Sequence, residues 1–118
     1  MNRCNCPLPP GGQVVCERNQ MAICIVRNGQ AIHQCLDPGS IKGDAALLNW
    51  ALAQITGRES LRTNSVHPPD LQMLTKGTYR DGKTMVNFSL TQDMQDALFR
   101  LTQGGNTTSD EMGMESTV

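Results

Sequence analysis

Residues 21–35 read MAICIVRNGQAIHQC, two apolar runs joined at Asn28-Gly29. That dipeptide supplies two consecutive positive-φ residues more readily than most, so the stretch predicts a β-hairpin with a type I′ turn. The turn sets a register in which Arg27 faces Gln30, Val26 faces Ala31, Ile25 faces Ile32, Cys24 faces His33 and Ala22 faces Cys35. Strand side chains alternate between faces, which puts Cys24, His33 and Cys35 on one side and Ile23, Ile25 and Ile32 on the other. One face offers apolar bulk for a core, and the other offers soft ligands close together.

A helical period follows. Leu47, Leu48, Ala51, Leu52 and Ile55 form one stripe over residues 45–56, with Asp44 as the expected N-cap and Gly57 as the stop. Ala46, Trp50 and Ala53 lie on the far side, and no charged residue falls between Asp44 and Arg58. A helix this neutral predicts burial on more than one side, packed on a sheet and covered again. Residues 70–76 fit either a short helix closed by Gly77 or a strand alternating at Leu71, Met73 and Thr75. Residues 78–80 and 83–88 form a second expected hairpin around Asp81-Gly82, with Tyr79, Val86 and Phe88 on one face and Lys76, Arg80 and Lys83 on the other. Ser89 is expected to cap a helix over 90–102, with Gln92 in the capping-box position. Leu90, Met94, Ala97, Leu98 and Leu101 make its stripe, and Asp96 with Arg100 an i,i+4 pair. Before the first hairpin, residues 13–16 suggest a short strand, while 1–12 are an irregular arm rich in Pro and Gly.

These elements predict an α+β fold: two hairpins in a small, mostly antiparallel sheet, packed by two helices, with a Cys-rich N-terminal β layer. Residues 1–103 are expected as one domain, with 1–40 the Cys-rich layer and 41–103 the helix-hairpin-helix portion. Residues 104–118 are polar and acidic, and predict a disordered tail.

Charge narrows the function classes. The chain has 118 residues, ten Lys and Arg against eleven Asp and Glu, and four aromatic residues besides histidine. Without a basic face or stacking aromatics, a nucleic-acid partner is not expected. No apolar run approaches the roughly twenty residues of a membrane span. Residues 1–12 lack the pattern of a secretory leader, so a start at Met1 predicts a cytoplasmic protein.

All five cysteines lie at or before Cys35. A reducing cytosol disfavours structural disulfides, and an odd count leaves one thiol over. Cys4, Cys6, Cys16, Cys24, His33 and Cys35 are therefore the candidate metal ligands. Zinc takes four thiolate or imidazole ligands in a tetrahedron. Cys24 and His33, directly opposite, would have Cβ atoms about 4.5–5.5 Å apart, close enough to share an ion. Cys24 and Cys35 are diagonal at about 7–8 Å, a gap that an ion bridges more easily than an S–S bond. The expectation is one zinc held by a subset of the six, pinning the arm to the hairpin.

Three further patterns carry chemistry. Residues 77–84 match the P-loop spacing G-x₄-G-K-[ST], but a β-like run follows where the phosphate cradle needs a helix. Glu115-Ser116-Thr117-Val118 resembles a PDZ ligand, with Val118 giving the free carboxylate and Ser116 two residues before it. Trp50 and Phe99 are the side chains to suspect in self-association or protein binding. The functional expectation is a small non-catalytic interaction or regulatory module braced by zinc. The alternatives are a secreted, disulfide-braced binder or inhibitor, a thiol-redox or metal sensor, and a nucleotide-binding protein.

Overall fold

The Asn28-Gly29 turn forms with φ values of 53° and 76°, as a type I′ hairpin requires. It joins β3 (Met21–Arg27) to β4 (Gln30–Leu36) in the expected register, with Cys24 opposite His33 and Ala22 opposite Cys35. This is a computed structural model, and it describes residues 1–6, 12–58 and 66–103. The tail, including Ser116 and Val118, lies outside the described residues.

The second hairpin pairs β5 (Thr78–Asp81) with β6 (Thr84–Ser89). Its turn is Gly82-Lys83, one residue later than expected, so Arg80 faces Met85 rather than Lys83. Gly82 sits at φ 57° and Lys83 does not share the positive φ, which is the type II′ pattern. The anticipated face is kept: Tyr79 lies opposite Val86, and Phe88 is two residues further along.

β6 pairs antiparallel with β3, so the four strands run in the order β4-β3-β6-β5. This pairing makes one sheet of the two hairpins and buries the start of β3 completely, from Met21 to Cys24. The arm is not irregular throughout. Asn2–Asn5 forms β1 and Gln13–Cys16 forms β2, a separate antiparallel ribbon with Cys4 opposite Val14. The sequence hid β1 because its alternation is polar outside and thiol inside, a pattern with almost no hydrocarbon.

The two faces of the sheet are covered differently. Helices α1 (Asp44–Thr56), α2 (Pro68–Leu74) and α3 (Gln92–Gln103) pack on the Ile23 side. There Met21, Ile23, Val86 and Phe88 meet Leu48, Leu52, Ile55, Leu71, Leu74, Met94 and Leu98. The ribbon covers the Cys24 side, with β1 over β3 and β6 and β2 over β3 and β4. Its small core is Cys4, Cys6, Val14, Cys16, Ala22 and Cys24. Every residue of α1 is buried or half-buried, in keeping with its neutral composition. Residues 68–74 resolve the ambiguity of that stretch as helix, because Leu71 and Leu74 reach the core together at i,i+3.

Both helix caps differ from expectation. Asp44 is the first helical residue of α1, and Gly43 at φ 95° holds the N-cap place without a side-chain bond. The Asp44 carboxylate is instead used across the fold, accepting two bonds from the Arg100 guanidinium at 2.7 and 2.8 Å. Arg100 therefore does not pair with Asp96, whose carboxylate accepts from Gln92. At the other helix Ser89 ends β6, and its hydroxyl donates to Asn2. Thr91 caps α3 by accepting the Met94 N–H, and the helix begins at Gln92, so no capping box forms.

The Asp44–Arg100 pair gives a pH prediction. Hydrogen bonding to Arg100 holds the Asp44 carboxyl below its usual range, against a smaller upward push from burial. A depressed folded pKa stabilises the fold above the unfolded carboxyl's range, and the effect is lost as pH falls through the folded value. Asp44→Asn is expected to lower the thermal midpoint slightly at neutral pH and to match the unmodified protein in strong acid. A midpoint difference that persists unchanged to low pH contradicts the pairing.

Candidate cysteine and histidine centre

The centre lies between ribbon and sheet. Cys4 and Cys6 share the inner face of the β1 end of the ribbon, and Cys16 shares the inner face of β2 with Val14. The outer residues Arg3, Asn5, Gln13 and Val15 are exposed. Three polar ties seat β1. The Asn2 side-chain amide faces the carbonyls of Gln20, Ser89 and Leu90 at 2.9–3.1 Å. Asn87 donates to the Asn5 carbonyl at 2.9 Å, and the Cys6 N–H donates to Gly12 to close the ribbon's far end.

This seating brings Cys6 over Cys24 and Cys16 over Cys35, and both pairs are disulfide-bonded. Their Cα atoms are 5.6 and 5.5 Å apart, inside the ordinary disulfide range. The hairpin's own Cys24 and Cys35 are not joined to each other, as their diagonal placement implies. Each is reached instead from the ribbon, one from the β1 end and one from β2. The arm is thus pinned to the hairpin where the sequence suggested, and in this structure the pins are covalent.

His33 completes a second arrangement on the same atoms. Ligand atoms of Cys6, Cys24 and His33 lie within 4.8 Å of one another, a group able to hold a metal ion. Cys6 and Cys24 are buried, whereas His33 is exposed, so the imidazole is the group's contact with solvent. The six candidate ligands therefore do not converge on one point. Cys16 and Cys35 form their own pair, and Cys4 stands outside the metal-capable group among the described residues. Cys4 is the free cysteine and is buried. Burial pushes its thiol up to about 11, offset in part by a backbone hydrogen bond from Cys24. It is therefore protonated at neutral pH, and it donates to the Asn87 carbonyl at 3.7 Å.

The other candidates separate. Trp50 is half-buried and packs on the main core, while Phe99 is 65% exposed on α3. Residues 77–84 are Gly77, β5, the Gly82-Lys83 turn and the first residue of β6, so Thr84 leads into a strand and not into a phosphate-binding helix. Among the described residues no helix is long and apolar enough to cross a membrane. What the sequence missed was β1 as a strand, and with it the i,i+2 placement of Cys4 and Cys6. The available signal was the strict alternation of Asn2, Cys4 and Cys6 with Arg3 and Asn5. No protein-family model, curated protein or solved structure matches the chain.

Proposed function

We propose that this chain is a small non-catalytic protein-interaction module whose N-terminal ribbon, braced by Cys6–Cys24 and Cys16–Cys35, presents its outer face to a protein partner. The observation that carries this is the doubling of the brace. A two-stranded ribbon is marginal alone, and here four of five cysteines serve to hold one rigidly against a sheet. The exposed outer face mixes Arg3, Asn5 and Gln13 with Val15, which is 46% exposed. A raised thiol pKa at Cys4 favours a structural over a nucleophilic role for the remaining cysteine. Crosslinks of this kind fit an oxidising compartment.

A second reading is favoured by the trio alone. In a reducing cytosol Cys6, Cys24 and His33 are the donors for zinc, and the same ribbon is then braced by metal. Thiol counting separates the two forms. Protein purified without reductant and alkylated after denaturation is expected to take one label, at Cys4, and five after reduction. Five labels before reduction would remove the crosslinked form. For the surface, the double variant Arg3→Glu/Val15→Asp is expected to keep its far-UV spectrum and abolish self-association or retention of a co-purifying protein. Unchanged association would end the assignment of the ribbon as the docking face.

A further inference from the structure

We infer that Cys6, Cys24 and His33 form a redox-controlled zinc site, in which the Cys6–Cys24 disulfide and a bound zinc ion are alternative occupants of the same atoms. The inference rests on the zinc reading of the trio and adds its regulation. Zinc thiolate chemistry needs both sulfurs, and the crosslink leaves neither with a lone pair of thiolate basicity. The crosslink and the ion therefore exclude each other.

The exchange balances. A dithiol reductant supplies two electrons and two protons to the S–S bond, giving two thiols and its own cyclic disulfide. Zinc then displaces both thiol protons, and His33 donates a neutral ring nitrogen. In reverse, a peroxide takes two electrons from the two thiolates as the S–S bond re-forms. With two protons the peroxide leaves as two waters, and the zinc ion is released.

Three features of the site suit this exchange. In a tetrahedral site with Zn–S near 2.3 Å, two sulfurs stand roughly 3.8 Å apart. The three ligand atoms already lie within 4.8 Å of one another, so opening the bond requires side-chain adjustment and no movement of strands. The charges also match. Two thiolates neutralise a divalent ion, which lets Cys6 and Cys24 ionise in a place where each is buried. Finally, Asn2 and Asn87 tie β1 to the sheet by hydrogen bonds that do not depend on either crosslink, so the ribbon keeps its seat while Cys6–Cys24 opens. With three protein ligands, a water on the His33 side fills the fourth position.

The test uses the full chain, native mass spectrometry and zinc chloride as the added metal. The oxidised protein is expected to take up no zinc. After reduction with a dithiol it takes up one ion per chain, and a peroxide returns it to the metal-free, crosslinked mass. Cobalt in place of zinc gives a thiolate charge-transfer band under the same conditions. His33 is exposed, so His33→Ala leaves the fold intact and weakens zinc binding roughly tenfold or more, since even outer-shell partners cost that much. Cys16→Ala/Cys35→Ala keeps zinc binding, and Cys6→Ala/Cys24→Ala loses it. A reduced chain that ignores zinc overturns the inference. So does zinc retained by the oxidised chain, or binding indifferent to His33→Ala. Failure to bind zinc after reduction ends the switch and leaves the crosslinked module standing, whereas five labels before reduction remove the crosslink from both.

Discussion

Cys16→Ala/Cys35→Ala is expected to lower the free energy of unfolding by about 3 kcal/mol in non-reducing buffer. The two residues are 19 apart in sequence, and a crosslink closing a loop of that length removes chain entropy of this size from the unfolded state. In the folded state Cys16 is buried on the inner face of the ribbon while Cys35 is exposed, so the packing lost with the sulfurs is confined to the Cys16 side. Urea unfolding followed by circular dichroism checks the value. The difference should vanish in a reducing buffer without zinc, where the unmodified protein also lacks the crosslink. Equal stability of the two proteins in non-reducing buffer would mean that the Cys16–Cys35 bond does not brace the native ribbon.

A comparable loss, about 3 kcal/mol, is expected for Leu52→Ala. Leu52 is 1% exposed and lies in the core that α1 shares with α3 and the sheet. Truncation removes three carbons from a place the helix cannot collapse to fill, so the cavity cost adds to the lost transfer energy. Phe99→Ala is the matching control. Its ring is 65% exposed on the outer side of α3, and the expected change is within about 0.5 kcal/mol. If Phe99→Ala proves as costly as Leu52→Ala in the same urea titration, the assignment of inner and outer faces of α3 is wrong.

The pattern of the chain carried much of the architecture. Asn28-Gly29 defined a turn, the turn defined a register, and the register put Cys24 and His33 side by side. The stripes Leu48-Leu52-Ile55 and Met94-Ala97-Leu98 likewise located α1 and α3. Each of these rests on rules that act over a few residues: turn conformation, strand alternation and helical period. Such rules hold because the backbone has few low-energy states, and neighbouring side chains are enough to choose among them.

Apart from the one-residue shift of the β5–β6 turn, the choices that went otherwise depend on residues distant in sequence. Asp44 prefers Arg100, 56 positions away, to its own helix terminus, and Ser89 is occupied by Asn2, 87 positions away. A local cap stabilises only if the side chain is not already held by something else. The state of the cysteines has the same origin. Their spacing allowed a shared ion and gave no single pairing. Cys6 meets Cys24 and Cys16 meets Cys35 because a ribbon with no readable apolar pattern is laid across the hairpin and tied down by Asn2 and Asn87. Local propensity decided which residues became strands, while the stacking of one layer on another decided which sulfurs touch, since contact between layers depends on how both faces pack together.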